Sequence, residues 1–366
     1  NALDRMHPDR PRLPDFIAEE LREGIASGRW SEWLPQERML AAELKISRFS
    51  LQQALARLKT SRELKAVPRK GHQIVSRQSK SLQVEKMGGI INLLLPGPAQ
   101  EVRPTAVSWV DELRALLAAR GLQLRPVEAK ACYSASPERA LRELFKRSPA
   151  DCWLVRLSNL PMQRWLVQST VPVVIAGTCH PGIDLHSVDV DHRALCRHAT
   201  GALLASGHRQ IMLLVDADGK AGDLESELGF QEAIRAAATE SIEVVVVRHN
   251  GQVRGVASQV ERALRRERPP TAIVVTQATL CLTLWSYLGA RGLKIPKDIS
   301  VVTQVGESYL SFLIPEPTAY RINQKKYAQS ILRAVNTAMT HERERRKILI
   351  VPEFVRGGSL ASPPAS

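Results

Sequence analysis

The stretch Gln36-Glu37-Arg38-Met39-Leu40-Ala41-Ala42-Glu43-Leu44-Lys45-Ile46-Ser47-Arg48-Phe49-Ser50-Leu51-Gln52-Gln53-Ala54-Leu55-Ala56-Arg57-Leu58 decides how the chain is read. Over 37–44 the residues Met39, Leu40 and Leu44 give a short helix one apolar side, with Arg38 off that side. Lys45-Ile46 makes a turn. Ser47 then stands where an N-cap belongs, its hydroxyl able to accept from the free N–H groups of a second helix. In that helix Leu51, Ala54, Leu55 and Leu58 recur at the +3, +4 and +7 spacing of a buried face. At about 100° per residue, Arg48, Phe49, Gln52, Gln53 and Ala56 fall on the opposite side, which carries no carboxylate. A solvated helical pair is the plain alternative; the residues that follow argue for more.

They are Leu64-Lys65-Ala66-Val67-Pro68-Arg69-Lys70-Gly71-His72-Gln73-Ile74-Val75, two short apolar strands around a turn of Arg, Lys, Gly and His. A cationic helix face beside a basic hairpin suits a negatively charged groove. Leu34-Pro35-Gln36-Glu37-Arg38, Ala41-Ala42-Glu43-Leu44, Ser47-Arg48, Ala54-Leu55-Ala56-Arg57-Leu58 and Lys70-Gly71 together resemble the gluconate-repressor (GntR-type) winged helix. The resemblance covers about the first seventy-five residues and implies DNA contacts at Arg38, Ser47, Arg48, Ser50, Lys70 and Gly71. It departs at Gln52, where the family commonly has a base-reading arginine; glutamine pairs with adenine instead. The expected arrangement lays Ser47 to Gln53 in a major groove with Arg48 and Gln52 at base edges. Arg38, Ser50, Arg69, Lys70 and His72 would then meet phosphates or the minor groove.

At 366 residues the chain has room for two or three domains with substantial cores. Its net charge is +14. Residues 1–86 hold 17 Lys and Arg against 11 Asp and Glu, and the remainder 34 against 26, so the excess is denser in the head. Such a balance favours nucleic acid or an anionic surface as partner. No run of 18 apolar residues exists, so no membrane span is expected, and the N-terminus offers no apolar export segment. Cys132, Cys152, Cys179, Cys196 and Cys281 are odd in number and form no C-x-x-C pair, which suits separate thiols in a reducing cytoplasm.

Residues 1–12 are Pro-, Arg- and Asp-rich and expected to be loose; 13–27 is amphipathic and expected to support the head, with Trp30 and Trp33 packing behind it. Residues 76–89 are polar, end in Gly88-Gly89 and are expected to be a linker. From 90 onward apolar strands alternate with amphipathic helices through short connections, first to about 176 and again from 193 to 302. This predicts parallel sheets covered on both faces, in two lobes that leave a cleft between the carboxyl ends of their strands.

Ser187-Val188-Asp189-Val190-Asp191, Ser206-Gly207-His208-Arg209-Gln210-Ile211, Gly229-Phe230, Thr271-Ala272-Ile273, Ile295-Pro296-Lys297-Asp298-Ile299-Ser300-Val301-Val302 and Val355-Arg356 with Ser359 resemble the lactose-repressor (LacI-type) effector core. That core is related to periplasmic sugar-binding proteins, and the likeness covers residues 90 to about 360. A GntR-type head on a LacI-type core is the architecture of the arabinose-repressor type. The resemblance implies lobe crossings near Asp189, near Ala319 to Asn323 and near Leu349. Lobe 1 would comprise about 90–190 and 320–348, and lobe 2 about 191–318 and 349–360.

Repressors of this kind usually grip a sugar with an arginine shortly before the Gly-Phe pair, an aspartate after the last sheet strand and an Asn-Asp pair. Here those positions fall on Ser226, on Val305-Gly306 and on Gln277-Ala278, and Gly177 replaces another common acid. Either the ligand is atypical or the correspondence is slipped by a residue. Gln100, Glu101, Arg103, Arg156, Ser158, Asp216, Asp218, Gln277 and Glu307 remain as candidates on the same loops, each of which could equally be a surface residue.

His180, His186, His192 and His198 recur every six residues, a spacing that lines neither a helix face nor a strand face, so no metal site is expected. No Walker loop, nucleophile elbow or H-E-x-x-H is present, and no cofactor or catalytic set is expected. Glu342-Arg343-Glu344-Arg345-Arg346-Lys347 reads as a solvated helix end. The fold expected is α/β: a winged helix-turn-helix at 1–75, a linker at 76–89, and a two-lobed periplasmic-binding-protein-like domain at 90–366. The function expected is a cytoplasmic, dimeric DNA-binding regulator, a repressor, on a palindromic operator, controlled by a small molecule such as a sugar or sugar derivative. The rival is a solute-binding or sensor protein whose head meets a protein partner.

Overall fold

The computed structural model describes residues 13–26, 29–30, 32–44, 46–61, 63–67, 70–75, 89–98, 106–237, 242–340 and 345–364. The loose start at 1–12, the linker at 76–88 and the stretch 341–344 lie outside them. The chain divides into two compact units, Asn1–Glu85 and Lys86–Ser366.

Among the described residues of the first unit three helices, α1 (Leu13–Ala26), α2 (Glu37–Glu43) and α3 (Arg48–Thr60), precede an antiparallel hairpin of β1 (Leu64–Val67) and β2 (Gly71–Ile74). The apolar spacing of α3 becomes its buried face: Leu51, Ala54, Leu55 and Leu58 join Ile17, Leu21, Leu40, Leu34 and Leu64 in one core. Trp30 is buried in that core, as its packing role required. Trp33 instead forms a single bridge to Gln73, and the Leu34 N–H donates to the His72 carbonyl at 3.0 Å. The wing is thereby stitched to the segment before α2. A fork from Arg22 to Glu63, with Nε at 2.8 Å from Oε2, ties α1 to the foot of the hairpin.

The described residues of the second unit form two six-stranded sheets. One runs β13-β7-β6-β5-β3-β4, all parallel, from β3 (Gly89–Leu95), β4 (Leu122–Glu128), β5 (Cys152–Arg156), β6 (Val173–Ala176), β7 (His186–Val190) and β13 (Lys347–Ile350). Its helices are α4 (Ala106–Ala118), α5 (Glu138–Arg147), α6 (Leu160–Leu166) and α11 (Gln324–Met339). The other runs β14-β12-β11-β10-β8-β9, from β8 (Gln210–Asp216), β9 (Glu243–His249), β10 (Ala272–Val275), β11 (Ser300–Thr303), β12 (Thr318–Arg321) and β14 (Glu353–Val355). Only β14 is antiparallel, and α7 (His192–Ala205), α8 (Ala221–Ala236), α9 (Val253–Leu264) and α10 (Ala278–Ala290) cover this sheet. Central strands such as Ala272–Val275 are buried at every residue, the pattern of a sheet covered on both faces.

Three segments cross between the sheets: after β7, between β12 and α11, and between β13 and β14. Gly89, expected at the end of a linker, instead opens β3 opposite Leu122. Lys347, expected in a helix end, opens β13. The most specific sequence blocks are structural clasps. His208 is fully buried and bridges Thr271 Oγ1 and the Ala361 carbonyl, both at 2.9 Å. Ser359 accepts from the Thr318 N–H at 2.8 Å and donates to the Val301 carbonyl at 2.5 Å, sealing the C-terminal segment onto the sheet.

Candidate nucleic-acid interface and effector cleft

Helix α3 starts as its sequence requires. The Ser47 hydroxyl accepts from the Ser50 N–H at 3.1 Å and meets the Ser50 hydroxyl at 2.8 Å. Behind that cap Arg48, Phe49, Gln52, Gln53 and Ala56 are exposed, and Arg38 is exposed on α2. Phe49 is 70 % and Met39 64 % exposed, so the surface is apolar as well as cationic. Lys70 is exposed at the wing turn, and Gly71 follows it with φ +100°, a left-handed conformation suited to glycine. Arg69 lies outside the described residues.

One sequence reading changes here, and a second residue proves to have a partner on α2. His72 was expected at the cationic tip, but its side chain points inward and is buried, with Nε2 2.9 Å from Glu37 Oε1. His72 is the second residue of β2, paired with Ala66, and alternation along the strand sends its ring to the core side with Ile74. Gln52 is exposed, yet its amide nitrogen donates to Glu37 Oε2 at 3.2 Å. A carboxylate from α2 therefore stands beside a helix face that has none of its own. The hydrogen bonds from His72 and Gln52 hold the Glu37 carboxyl below its ordinary value, against the opposing effect of burial.

In the second unit a cleft of about 150 Å³ opens at the carboxyl ends of both sheets. Its walls come from separate elements: Trp109 on α4, Arg156 ending β5, Ser158 in the loop beyond, Asp189 on β7, Lys220 before α8, Thr276 and Gln277 after β10, and Glu307. Arg156 stacks over Trp109, its guanidinium carbon 5.7 Å from the ring centre, and Tyr327 meets that ring edge-on at 5.3 Å. Leu157, between Arg156 and Ser158, has φ +55°, an uncommon conformation for leucine, at a turn that lines the cleft.

Of the expected effector residues, Arg156, Ser158, Gln277 and Glu307 line this cleft. Asp216 does not; it lies behind, taking Lys220 Nζ at 3.1 Å and Gln277 Nε2 at 3.0 Å, and so fixes two residues that do. Burial works against its ionisation, but the Asp218 N–H, Lys220 and Gln277 together leave its carboxyl below the ordinary value. Asp218 pairs with Lys220 Nζ at 3.1 Å. Ser226 is also outside the cleft. It sits one turn inside α8, buried, its hydroxyl proton within reach of the Gly222 carbonyl at 2.9 Å and of Gln304 Oε1 at 3.0 Å. Gln100, Glu101 and Arg103 lie outside the described residues.

Residues that the sequence did not single out complete the wall. Asp189 takes Thr178 Oγ1 at 2.6 Å and lies 3.3 Å from His192 Nε2. Burial opposes its charge, while His192, Thr178 and the Val190 N–H outweigh that and depress its carboxyl. The Thr276 hydroxyl is buried among the described atoms with no hydrogen-bond partner, at the mouth of α10, whose N-cap Gln277 gives no side-chain cap bond. Asp189 lies within a block already conspicuous as Ser187-Val188-Asp189-Val190-Asp191; that block was the one signal available. The four histidines at six-residue spacing go separate ways, and among the described residues no group of three or more His, Cys, Asp or Glu is placed to hold a metal. No helix among the described residues is long and apolar enough to cross a membrane.

Two family models match: bacterial regulatory proteins of the gntR family over residues 13–74, and a periplasmic binding protein-like domain over residues 200–360. The HTH-type transcriptional repressor PurR of Vibrio atlanticus is 24% identical over 163 residues, 44% of this chain and 49% of that protein. The HTH-type transcriptional regulator CelR of Thermobifida fusca is 26% identical over 144 residues, 39% of this chain and 42% of that protein. The chain thus spans about half the length of the curated relatives it matches. Among solved structures, the transcription regulator CcpA of Lactococcus lactis superposes with a TM-score of 0.65 at 19% identity, covering 74% of this chain and 98% of that one. A LacI family transcriptional regulator from Enterococcus faecium with bound ribose gives 0.62 at 16% identity, covering 76% and 100%. These superpositions share the fold of the second unit.

Proposed function

We propose, from a chain that carries a gntR-family helix-turn-helix head and a periplasmic-binding-protein-like body, that it is a DNA-binding transcription regulator, a repressor, governed by a small molecule held in the cleft. The observation that carries this reading is the exposed face of α3, cationic and polar with no carboxylate of its own, presented behind a capped N-terminus. Laid in a major groove, it brings Arg48 and Gln52 to base edges and Gln53 beside them. Arg38, Ser47, Ser50, Arg69, Lys70 and the Gly71 backbone serve the phosphates. His72 is no longer part of that set.

The cleft favours a small polar ligand with one flat or apolar face. A volume of about 150 Å³ accommodates roughly one ring, since an apolar cavity of that order holds benzene. Trp109 offers the face, and Arg156, Ser158, Thr276, Gln277 and Glu307 offer the polar contacts, so a monosaccharide or a derivative of similar size is the effector class. Differential binding to the two lobe arrangements would couple to DNA affinity by about 1–3 kcal/mol.

A regulator of this type reads a palindromic operator as a homodimer. Phe312 and Ile314, 86 % and 93 % exposed on the second unit, supply apolar surface for a second copy. The protein acts in the cytoplasm on this reading. A second reading, a sensor whose head meets a protein, is favoured by the exposed Met39 and Phe49. A gel shift of the full chain with the DNA upstream of its own gene decides between them. A discrete complex that survives excess scrambled duplex is expected; equal competition by scrambled DNA rejects the regulator.

A further inference from the structure

The head contains a polar chain that joins three elements: His72 on β2, Glu37 on α2 and Gln52 on α3, at 2.9 Å and 3.2 Å. The wing and the exposed helix thus meet on one carboxylate, each at its own oxygen. We propose that Glu37 is a positioning residue that sets the amide of Gln52 for an adenine edge, and that His72 holds Glu37 in place. The proposal rests on the reading of α3 as the DNA-facing helix.

The argument starts from what each group can do. An ionised carboxylate only accepts hydrogen bonds, so the Gln52 nitrogen, not its oxygen, must face Glu37. A free glutamine amide on an exposed face can turn over and present its oxygen and nitrogen in either order. Here the turn is blocked, because it would set Oε1 against Glu37 Oε2. The nitrogen has two hydrogens. One is committed to Glu37, which leaves the other as the donor that Gln52 can offer to a base edge.

Gln52 therefore offers one acceptor and one donor in a fixed order. Adenine presents the matching pair in the major groove, an N6–H donor and the N7 acceptor. Guanine presents two acceptors there and would set O6 against Oε1. Thymine offers one acceptor and a methyl group, so only half of the pattern can form. Fixing the amide before binding removes an ordering cost at the interface, and discrimination at that base rises accordingly.

Glu37 is itself constrained. Its side chain is 37% exposed, while the His72 side chain is only 9% exposed and cannot swing away without opening the core under the wing. With a carboxylate on Nε2, that nitrogen carries the proton and donates. The Leu34 N–H to His72 carbonyl bond pins the same residue through its backbone. Wing packing is in this way transmitted to the side chain that reads a base, without the wing ring touching DNA.

The test is selection from randomised duplexes by the full chain, followed by affinities for the enriched duplex and for each single-base replacement. Wild type is expected to enrich an adenine in each half-site whose replacement weakens binding about tenfold or more. Gln52→Ala should erase discrimination at that base pair alone. Glu37→Gln keeps an acceptor for His72 but turns its amide nitrogen, a donor, toward Gln52, so the Gln52 amide loses the partner that fixed its order. It should reduce discrimination at the same base pair to about threefold, with other positions within about twofold of wild type. The double variant Glu37→Gln with Gln52→Glu places the carboxylate on α3, and the preference should move to cytosine, whose N4–H₂ donates. Full adenine discrimination in Glu37→Gln overturns the proposal, as does a loss spread evenly over all positions, which would mark a structural role. A wild-type chain that enriches no sequence overturns the DNA-facing reading of α3, and this proposal with it.

Discussion

Replacing Gly229 by alanine should destabilise the second unit, although alanine is the better helix former. Gly229 lies on α8 where it crosses the start of α7. A Cβ there would stand 2.1 Å from the Arg193 carbonyl oxygen, 2.9 Å from its carbon and 3.0 Å from its Cα. All three are backbone atoms of a helix, so no side chain can turn aside. Restoring an ordinary contact of 3.4 Å requires the helices to part by about 1.3 Å. That movement also strains the ion pair between Arg193 and Glu232, which ties the same two helices. Overpacking of this severity costs about 3 kcal/mol, while Gly→Ala in a helix interior returns about 1 kcal/mol. The balance is a loss of about 2 kcal/mol, or about 4–8 °C in the melting temperature of a unit this size. Gly201 on α7 is the control, because a Cβ there meets nothing within 4 Å. Gly201→Ala should raise the midpoint by about 2–4 °C. Differential scanning calorimetry of both variants decides the sign. A Gly229→Ala protein as stable as Gly201→Ala would refute the close approach of α7 and α8.

Three further outcomes are expected. Ser47→Ala removes the cap of α3 and should cost about 1 kcal/mol locally, seen as roughly fivefold faster hydrogen exchange at the first amides of that helix; unchanged exchange would contradict the cap. Asp216→Asn should destabilise the second unit at neutral pH, because the carboxylate gathers Lys220, Gln277 and the Asp218 N–H. The Asp216 carboxyl is depressed on folding, so its stabilisation is present above the ordinary value of 3.8 and is lost as pH falls through the lower folded value. The difference in midpoint between wild type and variant should therefore shrink below that pH, and a constant difference would contradict the assignment. Phe312→Ser with Ile314→Ser should shift the full chain from dimer to monomer in sedimentation; a monomeric wild type, or a variant that stays dimeric, would reject that face as the contact between copies.

How much of this was legible in the sequence depended on the range of the signal. The core face of α3 and its Ser47 cap are set within a dozen residues, and periodicity and cap chemistry found both. The strand–helix alternation of the second unit was equally local, and buried strands such as Val173–Ala176 announce themselves as apolar runs. Strands β12, β13 and β14 have only three or four residues and were not separable from loops. Ring placement at His72 was not local: its partner Glu37 is 35 residues away, and only the packed hairpin brings them together. The cleft was harder still. Ser226 seemed to replace a ligand-binding side chain, but α8 begins at Ala221 and turns it into the interior. Asp189 sits on β7, Lys220 just before α8 and Thr276 just after β10, and no sequence spacing relates them.

The central claim is that the exposed face of α3 enters a DNA groove, and one titration tests it most directly. Fluorescence anisotropy of the full chain on its selected duplex is followed for wild type and Arg48→Ala over a series of salt concentrations. The account predicts that the logarithm of the wild-type binding constant falls linearly with the logarithm of salt, about 0.9 per phosphate neutralised. It also predicts that Arg48→Ala, exposed and unneeded for folding, binds at least about tenfold more weakly at every salt. Equal affinities for the two proteins, or a response flat in salt, would contradict it.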